Sequence, residues 1–253
     1  MTGEGADELF AGYGWYSWAG RRMPMPLAAS AAQRVLDGRR GKRTMMALFA
    51  GSFEDQYFEN VLCSVFQRAE RARLFSPDFQ ALTGAHRLSD SFGTELERSR
   101  NFAPLSRMQF LDTAIWLEGD PLTKVDRMSM AASLEARVPF LDYRLVELAA
   151  RIPPQLKLAG SQSKAILRQA FADLLPPAIV NRRKHAFDVP VAEWLRNELR
   201  EWTLDLATQP AIVDSGLFNS CCVKKLAEGH LGGRDYAAQL WALLTWSLWL
   251  PHR

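Results

Sequence analysis

Residues 1–16 read MTGEGADELFAGYGWY. Thr2-Gly3-Glu4-Gly5-Ala6-Asp7-Glu8 places two glycines and three carboxylates ahead of an apolar Leu9-Phe10 pair. Two readings of this stretch are open. In the first it is an ordinary helix start: acidic residues in a first turn offset the positive end of the helix macrodipole, and Thr or Gly ahead of them serves as a cap. In the second, free backbone N–H groups at the helix N-terminus, approached closely because glycine has no Cβ, receive a phosphate. Asp7 or Glu8 then holds Mg²⁺, an ion that takes one or two protein carboxylates together with phosphate oxygens.

The rest of the chain limits the choice. Its 253 residues are enough for one large or two small cores, and 48% hydrophobic with 23% charged residues is a globular composition. Thirty-one Lys and Arg face 28 Asp and Glu, a balance that gives no argument for nucleic acid or a membrane surface as partner. The basic run Arg39-Arg40-Gly41-Lys42-Arg43 has no interleaved aromatics and reads as a solvated loop. Cys63, Cys221 and Cys222 make no disulfide framework. Together with His230 the last two lack a fourth ligand and a zinc spacing, so reduced thiols in a cytoplasmic protein are expected. The apolar LWALLTWSLWL from Leu240 is far short of the roughly 20 residues of a membrane span. It predicts a buried C-terminal helix.

Helical spacing recurs along the chain. Phe58, Leu62, Val65, Phe66 and Ala69 share one face, as do Val191, Trp194, Leu195, Leu199 and Trp202. Leu145, Val146, Leu148, Ala149 and Ile152 form a third face, with Asp142 placed to cap that helix and Pro153-Pro154 to end it. Turn-rich breaks at Asp37–Gly41 and Thr83–Gly93 divide the chain into a nucleotide-loop and first helix (1–36), a helical excursion (37–102) and a C-terminal helical block (103–253). No sustained alternation predicts a strand. The expected fold class is mainly α.

Three ordered blocks resemble one family. GEGADELFAGY (3–13) is similar to the SGEGxDExFxGY stretch of glutamine-hydrolysing asparagine synthetases. DPLTKVDRMSMAASLEARVPFLDYRLVELAARIPPQLKL (120–158) resembles the family's DxLxKxDRxSM…LEARVPFLD segment, and SKAILRQAFADLLPPAIVNRRKHAFDVPVAEWL (163–195) its KxxLR…LP…RxKxxFxxP segment. The resemblance implies the C-terminal helical portion of an adenine-nucleotide α-hydrolase-like (PP-loop ATPase) α/β synthetase domain. It implies the chemistry too: Mg-ATP adenylates the side-chain carboxylate of aspartate, pyrophosphate leaves, and ammonia released from glutamine displaces AMP to give asparagine.

Residue by residue, the resemblance implies that Thr2, Gly3, Glu4 and Gly5 lie against the nucleotide. Glu4 matches the acid acting in acyl transfer, where a base must take a proton from the attacking ammonia. Asp7 matches the residue near Mg²⁺ and the pyrophosphate. Lys184 matches the catalytic lysine, a fixed cation for charge developing on the α-phosphate. Lys124, Asp126, Arg127, Glu135 and Arg137 either line the site or form buried ion pairs bracing helices. Lys164 and Arg168, one turn apart, read as a structural surface pair. β-Lactam synthetases carry tyrosine where Glu4 stands, so Glu4 favours ammonia transfer, without setting aside macrolactam synthetases or related amidotransferases.

The family's SGGxDS pyrophosphate loop and its Cys-led glutaminase have no match here; Ser215–Ser220 lacks the second glycine and the acid. Three expectations follow. The amphipathic helices leave apolar surface uncovered. A separate chain carrying the nucleotide and glutaminase domains, or a second copy of this chain, is a candidate partner. The 253 residues alone make no asparagine, whether they are part of a longer enzyme or a non-catalytic remnant.

Overall fold

The structure, a computed structural model, describes residues 1–19, 53–58, 65–84, 88–160, 162–182 and 189–250. The turn at Asp37–Gly41, the basic run 39–43, Cys63 and Lys184 lie outside them, as does Leu62 of the face from Phe58 to Ala69. The described residues are mainly helical, with two isolated bridges, Phe75 to Phe218 and Ala159 to Gln162, and no named strand. The mainly α expectation holds for them. The chain divides into two compact units, Met1–Tyr57 with Phe92–His185 and Phe58–Ser91 with Ala186–Arg253.

In the first unit, α1 (Ala6–Leu9) is a single turn, followed by a 3-10 segment, Gly14–Trp18. After α2 (Phe53–Tyr57), the unit resumes with α3 (Gly93–Ser99) and α4 (Pro104–Leu111). The last of these runs straight into a wider π-helical stretch, Asp112–Leu122, and on into α5 (Thr123–Ala131). Pro121 lies inside that stretch; without an N–H, proline cannot donate to the regular ladder.

Then come α6 (Tyr143–Arg151), α7 (Pro154–Lys157), α8 (Ala165–Ala170) and α9 (Pro177–Val180). Asp142 caps α6 as its position predicts, its carboxylate accepting from Arg144 N at 3.0 Å. Pro153 stands at the break and Pro154 opens the next turn. Leu9, Phe10 and Ala149 form a core to which Leu145, Val146, Ile152, Ile166 and Leu167 pack. Leu148, assigned to that apolar face from its spacing, is instead exposed. Tyr143 (71% exposed), Met128 (69%) and Leu174 (73%) are exposed as well.

In the second unit α10 (Arg68–Leu74) and α11 (Pro77–Thr83) precede α12 (Val191–Arg196), α13 (Arg200–Asp205), α14 (Pro210–Val213), α15 (Ser220–Leu231) and α16 (Ala237–Trp249). The face running from Val191 to Trp202 is not one helix. The chain leaves helical geometry at Asn197 (φ −118°, ψ −89°), so Leu195 is buried while Trp202 is exposed. The unit's core joins Leu74, Leu195, Ile212 and Val223 to Leu240, Leu243 and Leu244 of α16. The C-terminal helix therefore buries one stripe; Trp241, Leu248 and Trp249 on it are exposed, which corrects the expectation of burial all round. Among the described residues no helix is long and apolar enough to cross a membrane.

Candidate active site

The opening stretch is a tight loop closed by α1. Gly5 sits at the helix start in the left-handed region (φ +86°), and a Cβ there would fall 2.4 Å from Leu141 Cδ2. Only glycine meets both conditions. Thr2 N donates to Arg137 O at 2.8 Å, and Leu9 N to Gly5 O at 3.0 Å. No side chain caps α1, but Gly5 stands at its N-cap and Asp7 and Glu8 lie in its first turn, the glycine-and-acid helix start of the first reading. Thr2 Oγ1 is buried with no hydrogen-bond partner among the described residues. Nothing lies within 4 Å of the position a Cβ would take on Gly3.

Asp7 has a partner that sequence spacing did not give it. Lys164 Nζ lies 3.0 Å from Asp7 Oδ1, both side chains about three-quarters withdrawn from solvent. This corrects the surface pairing of Lys164 with Arg168. Lys164 holds a left-handed backbone conformation (φ +54°) just ahead of α8, with its N–H on Phe10 O at 3.2 Å. A non-glycine residue held there by a contact to α1's own exit is strain of the sort concentrated at functional sites. Gly12 completes the arrangement: a Cβ on it would sit 1.8 Å from Asp7 Oδ1 and 2.4 Å from Lys164 Cε. The glycine of the Gly12-Tyr13 pair thus makes room for the ion pair.

Arg168 turns to the backbone. Its Nε donates to Ser163 O at 3.0 Å, Nη2 to Arg182 O at 3.1 Å, and Nη1 to Val180 O. Its guanidinium ties α8 to the backbone at the end of α9. Spacing could not reveal this, because the carbonyls it clasps lie 12 and 14 residues away.

Behind α1 the loop is braced by buried polar groups. Glu8, 1% exposed, accepts from the Tyr13 hydroxyl at 2.6 Å. Burial pushes its carboxyl up, the tyrosine bond opposing. Tyr13 stacks on Trp15 with ring centroids 4.2 Å apart. Trp15 Nε1 donates to Asp112 Oδ2 at 3.0 Å and the Tyr57 hydroxyl to Oδ1 at 2.8 Å. Asp112 is wholly buried, which raises its carboxyl against these bonds. It was not a candidate at the level of sequence; a lone Asp in an apolar stretch carried no signal beyond its polarity.

Glu4 is partly exposed, and Lys124, Asp126, Arg127, Glu135 and Arg137 are solvent-facing. Lys124 pairs with Asp120 at 2.9 Å and Arg137 with Glu135 at 2.9 Å, the side chains all more than a third exposed. Asp126 and Arg127 are exposed. Buried ion pairs bracing helices, one of the two readings for this group, are not what forms. Arg137 meets the opening loop through its backbone carbonyl. Gly232-Gly233-Arg234-Asp235 shares two glycines and an acid with a pyrophosphate loop, but it is the end of α15, with Gly233 at φ +94° and Asp235 accepting from Ala237 N. Cys221 and Cys222 are free thiols. Among the described residues no group of three or more His, Cys, Asp and Glu is placed to hold a metal ion.

The asparagine synthase family profile matches residues 1–251. The chain belongs to the asparagine synthase family. Asparagine synthetase [glutamine-hydrolyzing] 1 of Bacillus subtilis is 31% identical over 98% of this chain, which covers 39% of that protein. A putative asparagine synthetase [glutamine-hydrolyzing] of Mycobacterium bovis is 34% identical over 98% of the chain and is itself covered over 38%. The amidase chyE of Penicillium rubens is 26% identical over 93% of the chain. The chain thus spans about two-fifths of the length of the curated relatives it matches. No solved structure matches it.

Proposed function

We propose that this asparagine synthase-family chain supplies the helical portion of the synthetase domain in an ATP-dependent amide ligase. The reaction would join aspartate and ammonia: the β-carboxylate attacks the α-phosphorus of ATP, pyrophosphate departs, and ammonia displaces AMP from the acyl-adenylate. The observation that carries the reading is the Asp7–Lys164 pair beside the Thr2–Gly5 loop. It sets a carboxylate and an ammonium side by side next to the loop that resembles the family's nucleotide motif.

Each group has a physical task in that reading. Thr2 Oγ1, buried and unpartnered among the described residues, would gain a hydrogen bond from a nucleotide oxygen, as a buried hydroxyl requires. Asp7 would be the protein ligand for Mg²⁺; one carboxylate with phosphate oxygens suits that ion, and no larger carboxylate cluster is called for. Mg²⁺ would offset the phosphate charge. Lys164, released from Asp7, would face the departing pyrophosphate, and Lys184 the α-phosphate. Glu4 would take a proton from the attacking ammonia. Arg168, which holds the Val180 and Arg182 carbonyls, would act as a positioning residue.

Such a site would sit in a PP-loop ATPase fold, whose SGGxDS loop this sequence does not contain. The 253 residues by themselves would then make no asparagine, and the nucleotide layer and the glutaminase would come from further sequence or a separate chain. The test is nucleotide analysis of the natural gene product that carries this chain, given ATP, Mg²⁺, aspartate and ammonia. Aspartate-dependent AMP, abolished by K184M and D7N, is expected. ADP in place of AMP, or no dependence on aspartate, would overturn the reading.

A further inference from the structure

In the first unit a cavity of about 380 Å³ opens beside α1, α4 and α6. Its walls include Leu9, Phe102, Phe110 and Val146, and its polar lining includes Gln109 and Lys157. Lys157 is 4% exposed. Its ammonium donates to Gln109 Oε1 at 3.2 Å, and no carboxylate pairs with it among the described residues. Gln109 cannot turn to offer more, because its Nε2 is committed to the carbonyls of Glu8 at 2.6 Å and Leu9 at 2.9 Å. An ammonium has three N–H groups; among the described residues one is satisfied. Burial with no opposing anion draws the Lys157 ammonium down to about 8. Buried lysines are rare unless paired. This one lines a mostly apolar space of the size that receives small ligands.

We propose that this cavity binds a small monocarboxylic acid with an apolar body, its carboxylate received by the Lys157 ammonium and its body packed against Phe102 and Phe110. A dicarboxylate such as aspartate is disfavoured, since the lining offers one cation and also contains the buried acid Glu8. The site is separate from the Asp7–Lys164 pair and stands or falls apart from the ligase reading.

The probes are phenylacetate and its uncharged amide, titrated calorimetrically into the 253-residue chain. Saturable phenylacetate binding is expected, at least tenfold weaker for the amide and at least tenfold weaker in K157M. A second arm uses only wild type: acetic anhydride labelling of Lys157 at pH 8, read by mass spectrometry, slows at least fivefold under saturating phenylacetate while exposed Lys124 is unaffected. The labelling arm decides alone if K157M fails to fold. No saturable binding, equal binding of the amide, an unprotected Lys157, or displacement of phenylacetate by equimolar L-aspartate would each overturn the proposal.

Discussion

Lys164 Nζ reaches Asp7 Oδ1 at 3.0 Å across 157 positions of sequence (164 − 7), on a backbone held at φ +54°. The pair closes the exit of the GEGADE loop onto the start of α8. A largely buried pair of this kind carries a measurable coupling. A denaturation cycle through D7N, K164M and the double variant is expected to return an interaction of about 0.5–2 kcal/mol. Additive single effects would show that the contact is incidental. In turnover, K164M is expected to lose at least about tenfold more than K164R, because the proposed role needs a cation near the phosphates.

Gly5 and Gly12 separate stability from site geometry. G5A must hold φ +86° with a Cβ against Leu141, so it is expected to cost about 1–3 kcal/mol by chemical denaturation. G12A meets the Asp7 carboxylate and the Lys164 stem instead. It is expected to cost less stability than G5A yet to abolish the Asp7–Lys164 coupling in the same cycle. A G12A protein that keeps the coupling would contradict the account of that glycine.

The Asp112 cluster predicts an asymmetry between donors and acceptor. Y57F removes one hydrogen bond to a buried carboxylate and is expected to cost about 1–3 kcal/mol. D112A leaves both Trp15 Nε1 and the Tyr57 hydroxyl without their acceptor and should cost more. Equal losses, read by urea unfolding, would mean that Asp112 is not the centre of the brace.

In the second unit His230 is fully buried, Nε2 on Ala192 O at 3.1 Å and Nδ1 accepting from Tyr236 N at 3.2 Å. Burial lowers its pKa below the ordinary 6.5. The folded form thus resists a proton that the unfolded chain accepts. The stability due to neutral His230 is complete above pH 6.5 and falls as the pH drops from there toward the folded-state value. H230Q, which can keep one donor and one acceptor, is expected to flatten the loss between pH 7 and 5. An unchanged slope would show that other groups set it.

The helical class, the cap at Asp142 and the break at Pro153 were legible because local rules decide them: period, side-chain capping and the missing proline N–H. The Val191–Trp202 face was misread as continuous because its apolar spacing survives the break at Asn197. The motif residues of the site stood in the sequence, yet their pairing did not. Lys164 falls at i and i+4 with Arg168, and nothing local shows that one turns to Asp7 and the other to carbonyls at 180 and 182. Gln109, Asp112 and Lys157 were missed for the same reason. A buried polar side chain is defined by tertiary neighbours, and single polar residues in helical runs are ordinarily solvent-facing.

Transfer of oxygen isotope tests the central claim, that this site belongs to an adenylating ligase, most directly. The natural gene product carrying this chain would be incubated with ATP, Mg²⁺, ammonia and aspartate labelled with ¹⁸O in its β-carboxylate, and the nucleotide product analysed by mass spectrometry. Attack of that carboxylate on the α-phosphorus puts one ¹⁸O into AMP and none into pyrophosphate, and K184M should suppress it. Label appearing in inorganic phosphate alongside ADP, or AMP formed without label, would contradict the account.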